Sequence, residues 1–148
     1  MIPIYIFDLD GTLADTTHRL RHIEQQPKDW TEFFAACGAD DPIRTTIETL
    51  RTLREGGAEI WIWTGRSDEV RAETEAWLLE HGCWPPDGFM MRSAGDYRAD
   101  DLLKAEWLSR AEPSVRARIA GVFEDRGRVV TMWRAQGLTC YQVAAGDF

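Results

Sequence analysis

Two aspartates spaced i, i+2 close an apolar run in the stretch Ile4-Tyr5-Ile6-Phe7-Asp8-Leu9-Asp10-Gly11-Thr12-Leu13. In an extended chain that spacing aims Asp8 and Asp10 at one face. Paired carboxylates suit two jobs. They bind a hard divalent cation through oxygen, or one is a nucleophile while its neighbour carries a proton. A lone Asp-x-Asp is equally a solvated turn after a strand, so the pair counts only in company. Company exists further along the chain in Thr64-Gly65-Arg66, Lys104 and Glu124-Asp125.

A short unbroken apolar run such as 4–7 reads as a buried strand of a parallel sheet. Such sheets bind ligands in the crevice beyond the carboxyl ends of their strands. Further strands are expected at 58–63, 88–91, 118–123 and 138–143, with helices at 43–55, 68–81, 100–108 and about 127–136 between or after them. The alternation indicates an α/β fold, a doubly wound, Rossmann-like parallel sheet with helices on both faces, in one domain spanning 1–148. Strand ends would then bring Asp8 and Asp10, Thr64 and Arg66, and Glu124 and Asp125 into one cleft, with Lys104 reaching it from a helix. Between about 15 and 40 the chain is expected to form a small helical cap after the first strand. Asp15 or Thr16 would cap its first helix, Pro27 would break it, and Trp30, Phe33 and Phe34 would be the packing face of a second, with base stacking as the lesser reading of those rings. Asp41-Pro42 would open the following helix, with proline in the first turn.

Asp8-x-Asp10-Gly11-Thr12 directly after a hydrophobic strand resembles the first motif of the haloacid dehalogenase superfamily of phosphohydrolases. Thr64, Lys104 and Glu124-Asp125 follow in the order of that family's other motifs. The resemblance implies that Asp8 attacks phosphorus and that Asp10 is the general acid and base. It implies Mg2+ held by Asp8, the Asp10 backbone carbonyl and Asp125, with Glu124 in an outer shell. Thr64 would donate its hydroxyl to a phosphate oxygen, and Lys104 would neutralise both the phosphate and Asp8. Each residue alone has a plainer reading: Thr64 as a helix cap, Lys104 paired with Asp100 on one helix, Glu124-Asp125 as an acidic turn. A narrower resemblance covers essentially the whole chain. Asp96-x-Arg98-x-Asp100-Asp101-x-x-Lys104, Asp125-Arg126, Val129-Val130, Met132-Trp133-Arg134, Gly137, and Cys140 through Gln142-Val143-Ala144 to Gly146-Asp147-Phe148 are similar to the 3′-phosphatase domain of bacteriophage polynucleotide kinase-phosphatases. That resemblance implies that Arg19, Gly65 and Arg66 serve substrate binding. It departs at Glu124, where those enzymes carry a second aspartate.

Composition narrows the partners. A net charge of −8 without a basic stripe argues against an extended nucleic-acid surface, but leaves room for a strand end or a small phosphorylated substrate. No apolar run approaches the ~20 residues of a membrane span, and no basic-then-apolar signal precedes the first strand. A cytoplasmic protein without a membrane partner is expected. Cys37, Cys83 and Cys140 have neither metal-ligand spacing nor a disulfide framework, and read as buried, idle thiols. His18 and His22 form an i, i+4 pair with no third ligand nearby, which reads as a solvated helix face. No Gly-x-x-x-x-Gly-Lys-[Ser/Thr] loop occurs, so kinase activity is not expected. The leading reading is a Mg2+-dependent phosphomonoester hydrolase for nucleotidic substrates, foremost polynucleotide 3′-phosphate ends. A nucleotidase for free nucleoside monophosphates is the alternative; a phosphatase for unrelated metabolites and a non-catalytic phosphate-binding module stand behind it.

Overall fold

β1 (Ile4–Phe7) is the central strand of the computed structural model, which describes residues 1–146. Asp147 and Phe148, where the C-terminal resemblance ends, lie outside the described residues. After β1 the chain forms β2 (Ala14–Asp15), a 3-10 turn (Thr17–Arg19), α1 (Arg21–Glu24), α2 (Trp30–Ala35), a second 3-10 turn (Ala36–Ala39) and β3 (Asp41–Pro42). It continues through α3 (Arg44–Glu55), β4 (Glu59–Ser67), a 3-10 turn (Asp68–Val70), α4 (Arg71–Glu80) and β5 (Gly88–Arg92). The last part runs α5 (Asp100–Arg110), α6 (Pro113–Arg116), β6 (Ile119–Glu124), α7 (Gly127–Ala135) and β7 (Cys140–Gln142). The main sheet has the order β5-β4-β1-β6-β7, and every pairing in it is parallel.

Alternation along the strands builds two cores. On one face Phe7, Ile60 and Ile62 pack with Ile47 and Leu50 of α3 and with Trp77 and Leu78 of α4. On the other, Ile4, Ile6, Trp63 and Val122 pack with Leu108 of α5 and with Val129, Val130 and Trp133 of α7. The period-two switch from Ile62 to Trp63 sends neighbouring residues into opposite layers. Trp63 fills its side against Trp107 and Trp133, with ring centroids at 5.9 and 5.7 Å. The doubly wound fold expected from the alternation is the fold observed. Among the described residues no helix is long and apolar enough to cross a membrane.

The structure corrects several local expectations. Asp15 does not start an α-helix; it ends β2, and its carboxylate accepts the Thr17 amide at 2.9 Å to begin a 3-10 turn instead. Asp41-Pro42 does not open α3. It pairs antiparallel with Ala14-Asp15 as β3, a position proline tolerates because two-stranded edges leave its missing N–H unused. β4 runs on through Thr64-Gly65-Arg66-Ser67 rather than stopping at Trp63, because those polar residues find partners inside the cleft. The three thiols are buried and free, and burial pushes those of Cys83 and Cys140 up to about 11 and about 12.

Trp133 is fully buried at the centre of the second core. Trp133→Ala is expected to cost about 3–5 kcal/mol, read as a lower midpoint in urea unfolding; a shift within error would mean this layer contributes little.

Candidate functional site

β1 ends in a tight turn that fixes the two aspartates. The Leu9 carbonyl accepts the amides of Thr12, Leu13 and Ala14 at 3.1, 2.8 and 3.0 Å. Gly11 makes the turn possible with φ +80°, and a Cβ there would overlap the Asp125 carboxylate. The glycine is thus needed for conformation and for space. The Asp8 amide remains in the sheet, donating to the Phe123 carbonyl at 3.0 Å, so Asp8 is held beside the end of β6.

The first constellation is acidic. Asp8, Glu124 and Asp125 are all buried, and each brings a carboxylate oxygen within 4.8 Å of the others. Lys104 of α5, 1% exposed, donates to Asp8 Oδ1 at 2.7 Å and to Glu124 Oε2 at 2.8 Å. It does not pair with Asp100 on its own helix; that carboxylate instead takes Arg92 at 2.5 Å and Arg126 at 3.0 Å. Three carboxylates against one ammonium leave two uncompensated negative charges in a space with little water. Burial accordingly pushes Asp8 up to about 8, with repulsion from Glu124 adding to it against the pull of Lys104. Burial likewise pushes Asp125 up to about 7, with repulsion from Asp8, and raises Glu124. The donor set fits a hard divalent cation in charge and in ligand type. Glu124 is already committed: its second oxygen accepts the amides of Asp125 and Arg126 at 3.2 and 3.3 Å.

The second constellation is balanced. Asp10 Oδ1 receives Arg19 Nη2 at 2.7 Å, Arg66 Nη2 at 2.7 Å and Arg66 Nε at 2.9 Å. Both guanidinium groups also grip Asp40: Arg19 through Nε and Nη2, and Arg66 through Nη2, all at 2.8 Å. Remaining donors go to the Phe33 carbonyl from Arg19 and to Thr74 from Arg66. Arg19 and Arg66 are fully buried. Burial would raise the Asp10 carboxyl, but Arg66 and Arg19 outweigh it and hold it below its ordinary range. Asp10 Oδ2 takes none of these bonds, and the side chain keeps a quarter of its surface open.

Asp40 was not legible as a site residue in the sequence. It sits at the end of the cap, its carbonyl accepts Trp77 Nε1 at 2.8 Å, and its carboxylate also meets His18 Nε2 at 2.7 Å. His18 therefore joins this network rather than lying free on a solvated face. Thr12 is the other omission, with its hydroxyl 3.4 Å from Asp8 and 3.5 Å from Asp125. Thr64 is buried in β4, and its Oγ accepts the Arg66 amide at 3.1 Å. Gly65 lies against Asp100, whose Oδ1 would be 2.5 Å from an added Cβ, and its carbonyl accepts Arg92 Nε at 2.8 Å.

The chain matches the family model described as polynucleotide kinase PNKP phosphatase domain over residues 3–148. Among solved structures it is similar to a chain of the Pnkp1/Rnl/Hen1 RNA repair complex, with 28% identity and a TM-score of 0.82. That likeness covers 99% of this chain and 44% of the other, so this chain spans less than half the length of that relative. The class C acid phosphatase from Bacillus anthracis is similar at 18% identity and TM-score 0.64, over 88% of this chain and 54% of that one. A hydrolase from Streptococcus pneumoniae TIGR4 is similar at 15% identity and TM-score 0.61, over 97% and 94%. At those two lower identities the likeness concerns the fold alone.

Two measurements probe this geometry. Removing Asp40 leaves two buried guanidinium groups facing one carboxylate, and breaking a buried pair this way costs about 3–5 kcal/mol. Asp40→Ala should therefore lower the urea midpoint strongly; an unchanged midpoint would mean that the network is not needed to hold the cap. Asp125 has a raised pKa in the fold, so its protonated form contributes stability that is complete below about pH 4 and lost as pH rises through about 7. In chelator, Asp125→Asn should gain thermal stability relative to the parent between pH 5 and pH 8. A gain that shrinks with rising pH would contradict the charge excess.

Proposed function

The chain belongs to the polynucleotide kinase PNKP phosphatase-domain family, and on that premise we propose that it hydrolyses 3′-phosphate ends of nucleic acids through an aspartyl-phosphate on Asp8, with Mg2+ as cofactor. The observation that carries the chemistry is Asp8, buried at a strand end, pinned through one oxygen by Lys104 and crowded by Glu124 and Asp125. The nucleic-acid part is supported by the family match and by the likeness to a chain of an RNA repair complex.

Asp8, the Asp10 carbonyl and Asp125 would hold the cation, with Glu124 bound to Lys104 behind them. When bound, the cation offsets the charge excess of this cluster and lets a phosphate dianion approach. Lys104 holds Asp8 in place and adds positive charge where the equatorial phosphate oxygens carry negative charge. The Thr64 hydroxyl, whose oxygen already accepts an amide, has its proton left to donate to the phosphate. Asp8 forms a bond to phosphorus as the ester oxygen leaves, and Asp10 gives that oxygen its proton. Water then attacks the aspartyl-phosphate, Asp10 takes the water's proton, and Asp8 is released with inorganic phosphate. Arg19 and Arg66 favour the ionised form of Asp10 that this second half requires. They also fix its rotamer, a positioning role distinct from direct phosphate contact.

A nucleotidase for free nucleoside monophosphates is the second reading, favoured by the net charge of −8. Phosphate release with Mg2+ from a 3′-phosphorylated oligonucleotide, compared with 3′- and 5′-mononucleotides, separates the two. The expected result is a preference for the oligonucleotide, with Asp8→Asn inert and EDTA silencing the parent. A preference for 5′-mononucleotides would favour the second reading, and full turnover by Asp8→Asn would remove the covalent mechanism.

A further inference from the structure

Of seven tryptophans, Trp30 alone is exposed, at 44%. It is also held in place. Its ring meets Phe33 edge-on at 5.6 Å and lies at 29° to Phe34 at 6.1 Å. Asp29 caps α2 beneath it by accepting the Glu32 amide at 3.0 Å. Phe33, in turn, leads directly to the cleft: its ring is 4.3 Å from the Arg19 guanidinium carbon, and Arg19 bonds Asp10. An exposed indole is thus three side-chain contacts from the carboxylate assigned to proton transfer. Packing explains Phe33, which is 6% exposed. It does not explain a tryptophan left half in water.

Charge around the indole fits a polyanion end. Lys28 Nζ stands 5.8 Å over the Trp30 ring. Residues 16–39 carry Arg19, Arg21 and Lys28 against Glu24, Asp29 and Glu32, together with two of the three histidines, so the stretch around the indole is neutral between Asp15 and Asp40 in a chain of net charge −8. A rigid aromatic face beside a long, mobile cation is the pairing that single-stranded nucleic-acid sites use, stacking for the base and a point charge for the backbone.

We propose that Trp30 is the stacking surface for the terminal nucleobase of the substrate, with Lys28 serving the adjacent phosphodiester. The inference rests on the nucleic-acid-end reading above and adds its specificity element. Stacking tolerates any base, because every base has a π-face, so the cap would select nucleotides over other phosphomonoesters without choosing a sequence.

The test is a two-by-two comparison with Mg2+. kcat/KM is measured for the wild type and Trp30→Ala on a 3′-phosphorylated oligonucleotide and on its twin with a chemically stable abasic terminal residue. Trp30→Ala should lower kcat/KM on the base-bearing substrate by roughly 5- to 100-fold, chiefly through KM. Removing the base should cost the wild type a similar factor, the two losses should not add, and Trp30→Phe should recover most of the loss. Equal losses on both substrates would make Trp30 a mere prop of the cap and overturn the inference, as would no loss on either. A wild type inert on both oligonucleotides would sink the functional reading itself, an outcome visible in the wild-type arm alone.

Discussion

Four side chains, the half-buried Asp10 and the buried Arg19, Asp40 and Arg66, tie the cap to the sheet. The cap supplies Arg19 and Asp40, the sheet supplies Asp10 and Arg66, and each arginine touches both carboxylates. Formal charge in this group sums to nothing, which is why two guanidinium groups can sit fully buried beside it. Buried ion pairs are costly to desolvate and offer little net stability over an apolar packing. What they supply here is a single geometry: the cap cannot shift without turning Asp10, and Asp10 cannot turn without loosening the cap.

The neighbouring group shows the opposite condition. Asp8, Glu124 and Asp125 share one ammonium. Two residues apart in sequence, Asp8 is pushed up to about 8 while Asp10 is held below its ordinary range. Crowding by carboxylates raises the one and pairing with guanidinium groups lowers the other, so two chemically identical groups respond oppositely to their surroundings, and an ionised Asp8 calls for added positive charge beside it. An extended i, i+2 pair would share one face, but β1 ends at Phe7 and the turn through Leu9 and Gly11 re-aims Asp10, leaving Asp8 toward α5 and β6 and Asp10 toward the cap.

Much of this was legible in the sequence because strand ends announce themselves. Apolar runs closing in Asp8, Thr64 and Glu124-Asp125 gave the sheet, its cleft and most of the acidic group. Asp40 was hidden for a physical reason. Its partners Arg19 and Arg66 are 21 and 26 residues away, and an Asp-Asp-Pro stretch reads locally as a helix start or a solvated turn. The same pattern concealed β3, whose pairing with β2 is decided by tertiary closure rather than by propensity. Arg19 and Arg66 were recognised through family resemblance, yet their donors are spent inside the protein, on carboxylates, the Phe33 carbonyl and Thr74. Single-residue spacing carries no signal for that.

The short β2–β3 ladder has an architectural consequence. Ala14 pairs with Pro42 and Asp15 with Asp41, so the chain leaves and re-enters the body at hydrogen-bonded neighbours. Lengthening an excursion whose ends are already joined adds little closure entropy. The segment between them is therefore a replaceable module. A lineage could exchange it for a longer or shorter one while the reaction centre stayed unchanged, provided the newcomer returned one arginine and one carboxylate to the places of Arg19 and Asp40.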